Sequence, residues 1–164
     1  IRSDNPISVY GLDWINASTD AWTAIPTASL GYTYMANIPP SGDSNQGSAS
    51  NLQIVATEPG TTTVTVTPSV ALVGGRSAGT PFNVSLTQGQ VYKTTVATRT
   101  ADISGTKISA DRKIAVINSS FFVTTPQGTT GAYDQTFEQL IPMETWGTEY
   151  LVARGATSAQ ADTL

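Results

Sequence analysis

The sequence lacks two residue types that many catalytic and metal sites require. It has no cysteine and no histidine among its 164 residues. The absence of cysteine excludes a disulfide scaffold, thiol catalysis and thiolate metal ligands. Without either residue, the usual Ser-His-Asp triads and Cys-His dyads cannot be assembled. No apolar run approaches the roughly 18 residues that a membrane-spanning helix needs.

Charge is also scarce, and its sign is unfavourable for nucleic acid. Charged residues make up 12% of the chain, with a net charge of −4 and a pI near 4.5. The eight basic residues are scattered along the sequence. A surface that follows phosphates needs clustered Lys and Arg, so we expect no nucleic-acid partner.

What the sequence does contain is short, alternating, Thr-rich segments separated by turn residues. Alternation over residues 7–10 predicts a strand that ends at Gly11. Residues 52–56 and 61–67 flank Glu58-Pro59-Gly60, which predicts a hairpin. Similar segments recur every 8–12 residues or so, and none shows sustained helical spacing. The pattern predicts an all-β fold of the β-sandwich or jelly-roll type.

The chain also resembles itself at long range. Asp4 to Tyr10 matches Asp111 to Ile117 at an offset of 107, while Ile25-Pro26 matches Ile141-Pro142 at an offset of 116. We therefore predict an internally duplicated domain truncated within its second copy, with a first β repeat over residues 1–110 and an incomplete second over 111–164. The alignment further predicts equivalent buried positions, which are Ile7, Val9, Ile114 and Val116.

Several segments together resemble the N-terminal domain family of IgGFc-binding proteins. The resemblance covers about residues 6–153 and is carried by Pro6-Ile7-Ser8-Val9-Tyr10-Gly11, Ile54-Val55-Ala56-Thr57-Glu58, Gly89-Gln90-Val91-Tyr92, Asp102-Ile103-Ser104-Gly105-Thr106-Lys107-Ile108, and Phe137-Glu138-Gln139-Leu140-Ile141-Pro142 with Thr145-Trp146-Gly147.

This resemblance implies an extracellular, non-enzymatic module of a large secreted or cell-surface protein, used for binding, adhesion or matrix building. It does not imply antibody binding. Many members of the family carry Cys and His in the loop where this chain has Tyr133, Asp134 and Gln135. A disulfide or His-linked role of that loop is therefore not expected.

Calcium is the one candidate cofactor, because its hard oxygen ligands require neither His nor Cys. Asp13, Asn16 and Asp20 lie close together in the sequence after the first predicted strand, and they could supply such ligands. The alternative is that these residues simply form turns, as Asp and Asn commonly do. That alternative leaves the chain with no cofactor.

Candidate partner-binding residues fall in two places. Trp14 stands among polar residues, where an exposed ring could contact a protein or the apolar face of a sugar. The second copy is nine residues longer than the first between Asn118 and Gln139, and a loop added to one copy is a candidate contact site. Its candidate residues are Phe121, Phe122, Thr124, Thr125, Gln127 and Tyr133. The alternatives are burial of the two phenylalanines and a neutral loop insertion.

Three functions from different classes remain open. The preferred one is a non-enzymatic binding or adhesion module that contacts proteins or glycans at a cell surface or matrix, or neighbouring β domains. The second is a structural subunit of an extracellular filament or matrix, completed by strand addition from another chain. The third is a carboxylate-based hydrolase, since twelve acidic residues are present.

Overall fold

A computed structural model describes residues 1–15, 18–42, 49–123 and 134–151. Within these ranges the chain forms strands and two short 3₁₀ turns, as the all-β prediction requires. The 3₁₀ turns are η1 (Thr27–Ser29) and η2 (Met143–Thr145). The strands are β1 (Tyr10–Ile15), β2 (Ser18–Thr23), β3 (Gly31–Met35), β4 (Asn51–Ala56), β5 (Thr61–Thr67), β6 (Phe82–Thr87), β7 (Val91–Thr95), β8 (Lys107–Val123) and β9 (Asp134–Gln139). None of the described helices is long or apolar enough to cross a membrane.

The long strand β8 organises the larger, seven-stranded sheet. Ile114 in its middle pairs with Gly31 of β3 on one side and with Ala56 of β4 on the other. Ser109 likewise lies between β3 and β5, and Ser119 lies between β4 and β9. β4 and β5 therefore share one side of β8, while β3 and β9 share the other. All of these pairings are antiparallel.

The sheet curves until it is nearly closed. Its main path runs β6-β5-β8-β4-β7, so β6 and β7 are the outer strands, yet these two strands contact each other. β6 also contacts β4. A curved sheet whose ends meet encloses one apolar core, and the sandwich-like all-β prediction is confirmed.

The predicted hairpin between β4 and β5 is wrong. Both strands pair antiparallel with β8, so they run in the same direction along it. Residues 58–60 cross from one half of β8 to the other. The crossing is fixed by Arg112, whose guanidinium donates to the Pro59 carbonyl at 2.8 Å, and by Asp111, whose carboxylate accepts from the Thr63 N–H at 2.8 Å.

Alternation along the strands fills the core. Side chains of a strand point to opposite faces in turn, and the inward set is aliphatic. The fully buried large apolar residues are Tyr34, Ile38, Leu52, Ile54, Val64, Val66, Leu72, Ile103, Ile108, Ile114 and Val116. Burying each such side chain stabilises the fold by about 1.5–3 kcal/mol relative to exposure.

The prediction of four equivalent buried positions is wrong for both positions of the first copy, Ile7 and Val9. Ile114 and Val116 are fully buried, but Ile7 is 54% exposed and Val9 is only partly buried. The difference has a structural cause. Ile114 and Val116 lie in β8 with strands on both sides, whereas residues 1–9 belong to none of the described strands.

Other parts of the two predicted repeats do have matching local geometry. β2 and β9 begin and end 116 residues apart, and so do η1 and η2. In the β1–β2 hairpin Leu12 pairs with Ala21. The residues that correspond to these two in the second predicted repeat are Ser119 and Phe137, and they also pair with each other. The proposed boundary between residues 110 and 111 falls inside β8. The division into two repeats stays a prediction.

Two polar contacts hold β3 in place. The Tyr34 hydroxyl is buried, accepts from the Gly31 N–H at 2.9 Å and donates to the Ile114 carbonyl at 2.7 Å. Burial raises the pKa of this phenol. On the other flank the Glu144 carboxylate of η2 accepts from the N–H groups of Tyr32 and Thr33 at 3.1 and 2.9 Å.

We predict that Tyr34→Phe destabilises the protein by about 1–3 kcal/mol. The substitution keeps the ring but leaves the buried Ile114 carbonyl and Gly31 N–H without their partner. Urea unfolding of the variant measures the loss. The matched control is Tyr32→Phe on the same strand, whose side chain is 44% exposed and which should change stability by less than about 0.5 kcal/mol. Equal effects of the two substitutions would contradict the prediction.

We also predict that Glu144→Gln destabilises the protein at neutral pH and much less in acid. Burial opposes ionisation of the Glu144 carboxyl, but hydrogen bonds from its own N–H, the Thr33 hydroxyl and the N–H groups of Tyr32 and Thr33 outweigh it. Its pKa therefore lies below the ordinary value of 4.5. A lowered pKa stabilises the fold above about pH 4.5, and this stabilisation is lost as pH falls through the folded-state pKa.

Urea midpoints of parent and Glu144→Gln at pH 7 and pH 3 test this prediction. The difference between the two proteins should be largest at pH 7 and should shrink at pH 3. A difference of the same size at both pH values would mean that the side chain contributes through packing instead of charge.

Candidate partner-binding site

The β1–β2 hairpin carries three large apolar side chains on its open face. Tyr10, Leu12 and Trp14 alternate along β1 and are 72%, 70% and 70% exposed. We call these three residues the aromatic stripe. Their cross-strand partners are Thr23, Ala21 and Thr19, which are exposed on the same face. The stripe is thus a continuous apolar surface, and small side chains lie beside it on the same face.

The opposite face of the hairpin rests on β9. There the Trp22 ring packs on Phe137, with ring centroids 5.4 Å apart. The Trp22 ring also covers Gly11, where an added Cβ would lie 2.2 Å from the indole. Gly11 is therefore required by close packing, because any side chain at that position would displace the ring.

Side chains, rather than backbone pairs, join β2 to β9. The Asp20 carboxylate accepts from the Ala21 N–H at 2.8 Å and from the Phe137 N–H at 2.5 Å. In the other direction Asp134 of β9 accepts from the Ser18 hydroxyl at 2.5 Å and from the Thr19 N–H at 3.3 Å. The Ser18 hydrogen bond is the main cause that lowers the pKa of Asp134. Each strand thus supplies one aspartate that binds the backbone of the other.

The structure places the candidate calcium ligands as follows. Asp13 and Asp20 are directly opposite each other in the hairpin, whereas Asn16 lies outside the described residues. Both Asp20 oxygens already accept backbone N–H groups. Among the described residues, no three acidic side chains come together as a metal site. Calcium binding by Asp13, Asn16 and Asp20 stays a prediction.

The insertion candidates are only partly described. Phe121 and Phe122 are half-buried at the end of β8, next to a register shift between Ser120 and Val123. Phe122 has a φ of 57°, in the left-handed region that bulky residues rarely adopt. Its carbonyl accepts from the Gly42 N–H at 2.8 Å. Thr124, Thr125, Gln127 and Tyr133 lie outside the described residues.

One acidic residue beside the hairpin has a raised pKa. Burial, and then the charge of Asp20, raise the pKa of Glu138. A cavity of about 270 Å³ adjoins it, lined by Met35, Asn37, Glu138, Gln139, Leu140, Ile141 and Trp146. A carboxyl with a raised pKa suits a general acid, but hydrolysis also needs a second, free carboxylate. Asp20 is bound to two backbone N–H groups, so this pair does not favour the hydrolase alternative.

Two members of the stripe, Tyr10 and Leu12, were not among the residues predicted from the sequence. Their signal is the period-two spacing of Tyr10, Leu12 and Trp14. This spacing was not interpreted as a strand because of Gly11, since a glycine after a short alternating run normally marks a turn. In the structure Gly11 is instead a strand residue that admits the Trp22 ring.

We predict that Gly11→Ala destabilises the hairpin by about 1–3 kcal/mol, the usual cost of forcing extra volume into a packed site. The new methyl group must push Trp22 away from Phe137. The measurement is a thermal melt followed by near-ultraviolet circular dichroism, which reports on the packing of the indole. Thr23→Ala, at an exposed position of the same hairpin, is the control. An unchanged near-ultraviolet spectrum in Gly11→Ala would contradict the proposed contact.

Comparison with known proteins identifies the family. A profile described as IgGFc binding protein matches residues 20–163. The chain is 29% identical over 163 residues to the IgGFc-binding protein of Homo sapiens, and the match covers 99% of this chain and 3% of the human protein. The crystal structure of Thermotoga maritima 1070 aligns with a TM-score of 0.41 and 11% identity, covering 66% of this chain and 90% of that one. The chain belongs to the IgGFc-binding protein family.

Proposed function

We propose that this chain is a non-enzymatic, extracellular binding module that contacts a protein partner through the aromatic stripe of Tyr10, Leu12 and Trp14. The observation that carries the proposal is the exposure of these three side chains side by side on one strand face. Family membership supports binding as the general role, since the human relative is named for binding IgG Fc.

The chemistry of the stripe suits protein contact. Tyr and Trp are enriched among the residues that dominate binding energy, because they offer a large contact area at low entropic cost. A central apolar group surrounded by small polar residues is the usual arrangement of such a contact. Thr19 and Thr23 provide polar neighbours in this case.

The hairpin can also bind without remodelling the fold. Its inner face is fixed by Asp20, Asp134 and the Trp22–Phe137 contact, so the outer face is presented on a positioned scaffold. A surface that is already ordered loses little conformational entropy on binding.

We predict that the double variant Leu12→Ser/Trp14→Ser loses protein binding while keeping its fold. The probes are an array of immobilised extracellular proteins that includes IgG Fc, and a second array of glycans. Binding to the protein array should weaken at least about tenfold, because exposed aromatic anchors dominate such interfaces. The melting temperature should stay within a few degrees of the parent.

The matched control is Val73→Ser/Val91→Ser, which removes two exposed apolar side chains outside the stripe and should bind as the parent does. Equal binding by the stripe variant and the parent would place the contact elsewhere. Binding to glycans alone, lost in the stripe variant, would replace the protein partner by a sugar at the same surface.

A filament or matrix subunit is the second candidate, and the open edge of β1 favours it. Among the described strands β1 pairs only with β2, so the backbone groups of its other edge can accept a strand from another chain. Sedimentation velocity of the purified chain separates the two roles. A filament subunit grows with concentration, whereas a binding module stays monomeric until a partner is added.

A further inference from the structure

The inner face of the β1–β2 hairpin places two aspartates directly opposite each other. The aromatic stripe occupies the outer face of β1, so Asp13 alternates to the inner face, and its cross-strand partner there is Asp20. Both side chains are partly buried. Like charges that stand opposite each other on one face of a strand pair destabilise the pair. A cation bound between the two carboxylates removes that repulsion.

A third oxygen lies beside this pair without a hydrogen-bond partner. Gln135 of β9 is only 6% exposed, and its side-chain amide donates an N–H to the backbone carbonyl of Asp13 at 2.9 Å. Oε1 of the same amide is buried and accepts no hydrogen bond. Because a carbonyl accepts and cannot donate, the contact with Asp13 fixes which end of the amide is the oxygen. A buried acceptor of this kind is unfavourable unless a donor or a cation meets it.

The surroundings add negative charge to the inner face of the hairpin. Glu138 of β9 lies close enough to Asp20 for the charge of one carboxylate to act on the other. Several basic side chains instead contact a ring or a carbonyl in other parts of the fold, and these are Arg76, Arg112 and Lys113. The oxygen cluster is therefore complementary to a small cation.

The types of oxygen present suit calcium. Carboxylate and amide oxygens are its usual ligands, and it accepts about six to eight of them in a flexible geometry that water can complete. Magnesium requires a near-ideal octahedron and gives up its water reluctantly, so a buried amide oxygen suits it less. Each Asp20 oxygen accepts one backbone N–H and retains a further lone pair for a metal ion. Extracellular modules bind calcium with dissociation constants of about 10⁻⁴–10⁻³ M, which few protein ligands suffice to reach.

We propose that Asp13, Asp20 and Gln135 form a calcium site between the β1–β2 hairpin and β9, with the two carboxylates and Oε1 of the amide as ligands. Asn16 lies outside the described residues and is not part of this site. The bound ion removes the repulsion between the aspartates and gives Oε1 a partner. It also fastens β9 to the hairpin that presents the aromatic stripe. Calcium binding is measured without a protein partner, so it can fail without affecting the proposed function.

Titration of calcium chloride into the whole chain tests the site. Isothermal titration calorimetry should give a dissociation constant of about 1 mM or below. At ten times that concentration, calcium should shift the unfolding equilibrium about tenfold toward the folded state, which urea unfolding measures. Magnesium chloride, and sodium chloride at equal ionic strength, control for general screening of the carboxylates and should shift it much less.

Two variants and a matched control assign the ligands. Asp13→Asn should weaken calcium binding at least about tenfold, because ligand charge sets the affinity of such sites. Without calcium this variant should be at least as stable as the parent, since it relieves the repulsion. Gln135→Glu places a charge at the position of Oε1, so it should bind calcium more tightly than the parent and be less stable without it. Asp4→Asn removes an exposed carboxylate before β1 and should bind calcium as the parent does.

Several results would overturn the proposal. Equal calcium affinity of the parent and Asp13→Asn would exclude this carboxylate as a ligand, and unchanged or weaker affinity in Gln135→Glu would exclude Oε1. Equal weakening by Asp4→Asn, or equal stabilisation by magnesium or sodium chloride, would assign the effect to general charge. No calcium binding up to about 10 mM, well above the range of extracellular modules, would leave Oε1 to a buried water molecule.

Discussion

Backbone pairing on both sides of β8 is the constraint on which the other elements depend. Strand β8 pairs with four strands, which are β3 and β9 on one side and β4 and β5 on the other. Its inward residues, Ile108, Ile114 and Val116, are also fully buried. A strand that satisfies both ladders and the core cannot shift by one residue without exposing that apolar set. The register of β8 therefore sets the positions of four other strands.

The aromatic stripe is connected to this framework through β9. β9 pairs with β8, and β2 then rests on β9 through Asp20, Asp134 and the Trp22 ring. Because these contacts use side chains, the hairpin is fixed without being part of the main sheet. The outer face of the hairpin is consequently not needed for packing against the sheet. Contact surfaces on a rigid scaffold are often arranged this way, since their residues can change without disturbing the core.

The sequence allowed prediction of features that depend on local pattern, and it failed where partners are distant. Alternation predicted an all-β chain and the burial of Ile114 and Val116. It could not show that β4 and β5 run in the same direction, because Glu58-Pro59-Gly60 forms a turn in either arrangement. The direction is set by the ladders that both strands form with β8, which lies far away in the sequence, and Arg112 and Asp111 of β8 then hold the connecting residues. Trp14 was predicted as a contact residue. That strand β1 continues through Gly11, with the Trp22 ring packed on this glycine, could be seen only in the three-dimensional structure.

The acidic residues near the hairpin have a structural explanation that does not involve catalysis. An unpaired strand edge exposes N–H groups, which either attract a foreign strand or need another acceptor. Asp20 supplies that acceptor to Phe137 of β9, and Asp134 supplies it to Thr19 of β2. A carboxylate in this role blocks ladder formation at the edge and satisfies the backbone at the same time. The two strands can therefore lie side by side, in the same direction, without forming a ladder, and Asp20 and Asp134 hold the hairpin with the aromatic stripe facing solvent.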